Sequence, residues 1–154
     1  MEYREASVSD LKGILNVYSQ INPEEKQLSP DKAGEIWKKI EANPGYKYFV
    51  AVDNGKVVST CNISIIPNLT RQGRSFGVIE NVGTDIAYRK KGLGKAVVGM
   101  AIDYARKKDC YKILLLSSLK RTGSHIFYEK IGFNGNSKKG FEMRLSQGLK
   151  AKGC

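Results

Sequence analysis

One stretch near the middle of the chain constrains the fold more than any other. "SFGVIENVGTDI" has the residue make-up of a strand, and "AYRKKGLGKAV" follows as a basic turn carrying two glycines. Beyond it Val97, Val98, Ala101, Ile102 and Ala105 recur at helical spacing, giving a helix that runs to about Lys108. "YKILLLSS" then runs apolar without alternation, as a strand covered on both faces does. A strand, a helix and a strand in that order make a crossover, so the two strands lie parallel. Gly83, isolated inside the first strand, signals a bulge or a close approach by another backbone.

The turn has a physical use. The first N–H groups of a helix have no partner within it, and the helix dipole adds positive potential there. A glycine turn at that point makes an anion site, which Arg89, Lys90, Lys91 and Lys95 strengthen.

The flanking sequence predicts the rest of the sheet. A short strand spans Tyr3 to Ala6, and Ser7 or Ser9 offers an N-cap for a helix over Asp10 to Ile21. In that helix Leu11, Ile14, Leu15, Tyr18 and Ile21 share one face. A second helix covers Asp31 to Ala42, with Ile36, Trp37 and Ile40 inward and "NPG" as its stop. "YKYFVAV" and "KVVSTCNISII" flank "DNG", a hairpin turn whose residues accept positive φ. A last helix spans Thr122 to Ile131, a further short strand is expected near Phe133, and "GFEMRLS" closes the sheet. The expected class is α/β (α+β): a mixed, mostly antiparallel sheet flanked by about four helices. The 154 residues fit one domain, 1–154.

Composition narrows the function classes. No run approaches the roughly 18 apolar residues that span a membrane, and the N-terminus lacks the pattern of a signal peptide, so the expected setting is cytoplasmic. Cys61, Cys110 and Cys154 lie far apart and His125 is the single histidine, so no metal site is expected. The net charge of +11 favours polyanionic company. Its cations are scattered as well as clustered, with no basic tail, so nucleic acid is not the expected partner.

Three anion-binding motifs use a glycine turn of this kind. The P-loop fails, because Ala96 follows Lys95 and no glycine lies at the required position before Gly94. The dinucleotide fingerprint is half present. R/Q-x-x-G-x-G/A is satisfied throughout by Arg89-Lys90-Lys91-Gly92-Leu93-Gly94. With this motif "TDIAYRKKGLGKAVV" resembles the pyrophosphate-binding segment of the GNAT superfamily of acetyl-CoA-dependent N-acetyltransferases. "HIFYEKIGF" resembles the family's second signature, and the predicted element order is also that of the family.

The resemblance implies a set of site residues. Val82 and Thr84 fall where the family's fourth strand offers backbone groups to the pantetheine arm, with Gly83 between them near the bulge that splays strands four and five. The amides from Lys90 to Lys95, Leu93 among them, would hold the pyrophosphate. Arg121 stands where many members carry Asn, and Ser124 where they carry Ala; Lys120 and Arg121 offer charge to a CoA phosphate instead. Glu80 is the candidate base and Tyr128 the candidate acid, facing the cofactor sulfur. His125 is a base candidate set against a solvated or capped helix histidine, and Trp37, Tyr46 and Tyr48 line either the acceptor pocket or the core.

Those two roles match what the chemistry requires. An alkyl ammonium has a pKa of about 10.4, so a base must take its proton near neutral pH. The departing thiolate needs a proton, which a phenol can keep until that moment. A backbone N–H of the fourth strand would stabilise the oxyanion.

The resemblance therefore implies acetyl transfer from acetyl-CoA to a small-molecule or protein amine, by a homodimer without a metal. A CoA-binding domain without catalysis is the alternative from another class; the presence of both Glu80 and Tyr128 argues against it. Locally, "VIENV", "CYKI" and "FYEKIGF" resemble the glucosamine-6-phosphate acetyltransferases, which typically carry Asp after the strand glutamate. Here that residue is Asn81. An amino-sugar phosphate is thus one acceptor option among several.

Overall fold

The computed structural model describes residues 1–145, which divide after Leu115 into two compact units. The first unit, Met1–Leu115, holds the whole sheet. Its strands are β1 (Glu2–Glu5), β2 (Tyr46–Asp53), β3 (Lys56–Ile66), β4 (Phe76–Thr84) and β5 (Ile113–Leu114), paired in that spatial order. The first three pairings are antiparallel, while β4 and β5 are parallel. The helices of this unit are α1 (Leu11–Ile21), α2 (Pro30–Glu41) and α3 (Leu93–Lys107).

Local chemistry explains the elements. Ser7 and Asp10 form a capping box on a short 3-10 turn that leads into α1, and Arg4 clamps Asp10 with two bonds of 2.6 and 2.9 Å. Ser29 caps α2 through Lys32 N–H, and Pro30 begins it. At the β2–β3 turn Asn54 and Gly55 take φ of 47° and 78°, the geometry of a two-residue hairpin.

The sheet buries both faces. On one, Ile14 and Val17 of α1 and Trp37 of α2 pack on Val50, Val52 and Val57. On the other, α3 lies across β2, β3 and β4, with Phe49 edge-on to Tyr104 and Cys61 Sγ directed at the Val97 carbonyl. Burial among these apolar groups pushes the Cys61 thiol up to about 12, so it packs as a small apolar residue.

Three expectations need correction. Only Ile113 and Leu114 of "YKILLLSS" pair as a strand, and Leu114 and Leu116 are 38% and 73% exposed, so the run is not covered on both faces. The inward residues of α2 are Ala33 and Trp37, with Ile40 partly buried against the same cluster; Ile36 sits at the margin, 36% exposed, because the helix turns it toward solvent. No strand forms near Phe133 or over Gly140–Leu145, where Phe141, Met143 and Leu145 are exposed without a ladder; Ser146 lies outside the described residues.

The second unit, from Leu116 onward, contains α4 (Thr122–Lys130). His125 Nε2 donates to the Ser118 carbonyl at 2.9 Å, and Phe133 N–H returns to the Tyr128 carbonyl at 3.0 Å. Those bonds close the helix at both ends.

Candidate active site

β4 carries the geometry on which a site can be built. Its pairing with β5 covers only Gly77 and Val78, so among the described residues Ile79 to Thr84 have no strand partner on that edge. The backbone groups of Val82 and Thr84 lie on this open segment. An unpaired strand edge offers N–H and C=O groups to an extended ligand.

The bulge lies at Asn81, two residues before Gly83. The register with β3 passes from Thr60↔Gly83 to Asn62↔Glu80, leaving an extra residue in β4, and Asn81 adopts φ of 53°. Asn tolerates the left-handed region better than most side chains. Gly83 is glycine for a different reason: a Cβ there would stand 2.4 Å from Ile21 Cδ1 and 3.0 Å from Val17 Cγ1 of α1. The close neighbour is helix side chains.

Register also sets Tyr48, Asn62 and Glu80 in one cross-strand row, so their side chains share a face of the sheet. Glu80 is exposed there, while Asn62 is 1% exposed. Asn81 Nδ2 donates to Asn62 Oδ1 and Asn62 Nδ2 donates to the Tyr46 hydroxyl, each at 2.9 Å. Burial pushes the Tyr48 phenol upward, with Tyr46 and the negative charge of Glu80 adding to the effect. Tyr46 and Tyr48 meet edge to face at 5.7 Å, and Trp37 packs on Tyr48 at 5.6 Å. Trp37, 2% exposed, is a core residue that also borders a cavity of about 130 Å³ between α1, α2 and β2.

At the end of β4 the chain enters the glycine turn. Gly92 takes φ of 81° as the N-cap of α3 and provides no side-chain cap, and a Cβ there would meet nothing within 4 Å. The first amides of α3, at Leu93, Gly94 and Lys95, therefore face open space at the positive end of a fifteen-residue helix. Lys90 is left-handed as well, with φ of 61°. Leu93 is buried at 4% exposure and offers only its backbone, whereas Arg89, Lys90, Lys91 and Lys95 are exposed. Arg89 Nε reaches the Thr84 carbonyl at 3.3 Å, and Lys91 lies over the Tyr88 ring at 4.8 Å. These features fit a pyrophosphate: donors and charge converge, and among the described residues no side chain lies within 4 Å of where a Gly92 Cβ would project.

Asp85 is the residue that sequence reasoning missed. It is 5% exposed, accepts from Ala87 N–H at 3.0 Å and pairs with Lys56 at 2.7 Å. Gln20 of α1 donates to it at 3.3 Å and accepts from Ile86 N–H at 2.9 Å. The turn between β4 and α3 is thereby pinned to α1 and β3. The "T-D" before the basic run, an N-cap pair ahead of a turn, was the available signal.

In the second unit Tyr128 is half-buried between Phe127 and Phe133, with ring centroids at 5.1 and 6.1 Å. Arg121 is the N-cap of α4, accepting from Ser124 and His125 N–H through its carbonyl. Since a carbonyl only accepts, the bond to Ser118 assigns the His125 proton to Nε2.

The comparisons with known proteins agree with this geometry. A family model described as "Acetyltransferase (GNAT) family" matches residues 11–133. The chain belongs to the GNAT acetyltransferase family. A glucosamine 6-phosphate N-acetyltransferase from Trypanosoma brucei brucei is 34% identical over 94% of this chain and 95% of its own. Among solved structures, a putative acetyltransferase from Agrobacterium tumefaciens superposes with a TM-score of 0.89 at 42% identity, covering 94% of this chain and 99% of that one. The glucosamine-6-phosphate N-acetyltransferase of Arabidopsis thaliana superposes with a TM-score of 0.82 at 25% identity, covering 96% and 98%. This GNAT chain is accordingly an acyltransferase, and acetyl-CoA is the family's cosubstrate. No helix among the described residues is long and apolar enough to cross a membrane.

Proposed function

We propose that this GNAT enzyme moves the acetyl group of acetyl-CoA to the primary amine of an amino-sugar phosphate. The observation that carries the transfer is the open edge of β4 running from the Asn81 bulge into the uncapped amides of α3. The acceptor is supported by the Trypanosoma brucei brucei relative, which acts on glucosamine 6-phosphate and matches nearly the whole chain. The family match spans both compact units, which supports one acetyltransferase domain over 1–154. A cytoplasmic homodimer belongs to the same reading, on the family resemblance.

Gly92, Leu93, Gly94 and Lys95 would hold the pyrophosphate through backbone N–H, with Arg89, Lys90 and Lys91 supplying charge. Val82 and Thr84 would pair with the pantetheine arm, with Gly83 between them. Lys120, Arg121 and Ser124 lie on the segment assigned to the remaining CoA contacts. Bound acetyl-CoA supplies the thioester carbonyl. Glu80 accepts the proton of the acceptor ammonium, leaving the amine lone pair free to attack. A β4 backbone N–H stabilises the oxygen as charge builds on it. Tyr128 donates its phenol proton to the sulfur as the C–S bond breaks, and the proton that the nitrogen sheds on becoming an amide restores the phenol.

Incubation with acetyl-CoA and glucosamine 6-phosphate should release free thiol in step with N-acetylated sugar. No thiol release with this sugar, beside brisk release with another amine, overturns the acceptor. Tyr128→Phe should lower kcat about 10²–10⁴-fold at constant CoA affinity. Glu80→Gln should also slow turnover, with an effect that shrinks at high pH, where the amine is already neutral. A Tyr128→Phe enzyme as fast as the parent from pH 6 to 10 removes the acid.

A further inference from the structure

Asn81 should not be able to touch Asn62. Side chains alternate along a strand, so the residue after Glu80 belongs on the face opposite to Glu80 and Asn62. The left-handed φ of 53° at the bulge turns Asn81 back, and its amide reaches Asn62 at 2.9 Å. Three side chains are thereby joined on the face that carries Glu80: Asn81 donates to Asn62, and Asn62 donates to Tyr46.

The chain has a sense. An amide offers an acceptor at one end and a donor at the other, so once Asn81 donates to Asn62 Oδ1, the Nδ2 of Asn62 must face Tyr46. The Tyr46 oxygen is then an acceptor within the protein, facing the Asn62 amide and the neighbouring Tyr48 hydroxyl, whose phenol that contact helps to push upward. With both groups donating to its oxygen, the Tyr46 O–H is left for a third group. Tyr46 is half-buried, Asn62 is buried, and Glu80 and Asn81 are exposed, so the row opens to solvent beside the carboxylate.

We propose that the Asn81–Asn62 amide pair is a positioning device that makes Tyr46 a hydrogen-bond donor to an oxygen of the acceptor, selecting an amine that bears a hydroxyl or phosphate oxygen within reach. The proposal rests on the reading of Glu80 as the residue beside the acceptor amine. It also gives Asn81 a consequence of its own. A carboxylate at 81 only accepts; it would draw Asn62 Nδ2 to itself and turn Asn62 Oδ1 toward Tyr46. The phenol proton would then be used internally, and the acceptor would meet lone pairs alone. The polarity of one side chain on β4 thus sets what Tyr46 on β2 presents.

The test is a double-mutant cycle on the full chain, read as KM for glucosamine 6-phosphate. Tyr46→Phe removes the hydroxyl and keeps the ring, so KM should rise roughly three- to tenfold, with kcat falling less. In the Asn81→Asp background the same Tyr46→Phe change should cost nothing, since the proton it removes is already turned inward. The charge added by Asp is present in both proteins of that comparison and cancels. An equal Tyr46→Phe penalty in both backgrounds overturns the proposal. So does a Tyr46→Phe enzyme with unchanged KM.

If the parent does not turn over glucosamine 6-phosphate, the acceptor named above is wrong. The cycle is then run on whichever amine of a library releases most thiol. A second readout needs no turnover. In Tyr46→Phe the NMR signals of the Asn62 side-chain amide should shift, because its acceptor is gone; unmoved signals would sink the chain.

Discussion

Asn81 and Gly92 are both left-handed, one in the middle of β4 and the other at the turn beyond it, and they are left-handed for opposite reasons. Gly92 needs its side chain absent: φ is 81° and the space where a Cβ would project is empty, open to whatever the α3 amides bind. Asn81 needs its side chain present, since the bulge exists there to aim an amide at Asn62. One residue clears a space and the other fills one. The difference teaches that a left-handed backbone position is not in itself a request for glycine. The surroundings of the Cβ, open space or a partner, decide the residue.

The largest expected effect breaks the open side of this comparison. Gly92→Asp puts a side chain and a negative charge where the α3 amides and Lys90, Lys91 and Lys95 face an anion. CoA affinity should fall about 100-fold, measured by calorimetry, in a protein whose circular dichroism is unchanged. Unaltered CoA binding by a folded Gly92→Asp variant would remove the turn from the site.

Gly83→Ala comes next and sharpens the contrast, because Gly83 shares β4 with Asn81 and is not left-handed. The new Cβ would press on Ile21 and Val17 of α1, and overpacking of this kind costs about 2 kcal/mol. Tm should drop by roughly 5 °C. Trimming the obstacle with Ile21→Val should restore part of that loss; no restoration would mean that the cost lies elsewhere.

Asn81→Ala carries a smaller penalty of about 1 kcal/mol for a Cβ-bearing residue held left-handed without its amide bond. Asn81→Gly relaxes the backbone cost while keeping the amide absent. Stability should therefore recover in Asn81→Gly, whereas the KM effect of losing the amide should not. If both recover together, the Asn81 side chain serves the bulge alone.

The same contrast explains what could be read from the sequence. Gly92 was legible, because R-x-x-G-x-G ahead of a helical apolar face has few other meanings. Asn54-Gly55 was legible for a similar reason, and so were the faces of α1 and α3 and the parallel relation of β4 and β5. Asn81 was not: nothing in "IENV" distinguishes a bulged asparagine from one in a regular strand, so the pattern points to the nearby glycine instead. Gly83 drew attention correctly, but its reason lay in Ile21 and Val17, far away in the chain. "YKILLLSS" and "GFEMRLS" misled because apolar runs predict burial, and burial depends on a covering partner that the run does not encode. The "T-D" pair could mark Asp85 as a turn cap, but its role in pinning the turn was not legible, because its partners Lys56 and Gln20 come from two other elements.

The smallest expected effect concerns that pinned turn and its pH dependence. Lys56 beside Asp85, with help from Ala87 N–H and Gln20, holds the Asp85 carboxyl below the usual carboxylate range, and the same pairing raises Lys56 above its ordinary value. A depressed carboxyl contributes stability above its unfolded pKa of about 3.9, and the contribution fades as pH falls through the lower folded value. The raised lysine contributes below its unfolded pKa of about 10.4 and fades as pH rises past the higher folded value. The pair therefore stabilises the turn on a plateau between roughly pH 5 and pH 10. Asp85→Asn keeps an acceptor for Ala87 N–H and removes the charge, so its Tm should lie below that of the parent on the plateau. The gap should narrow as pH drops from about 4 toward 2. Asp10, which Arg4 also holds below its ordinary range, titrates in the same region in both proteins and cancels from the difference. Melting curves from pH 2 to 7 decide the matter. A gap that is constant down to pH 2 would show that the Asp85 charge contributes nothing and that the turn is held by its backbone bonds.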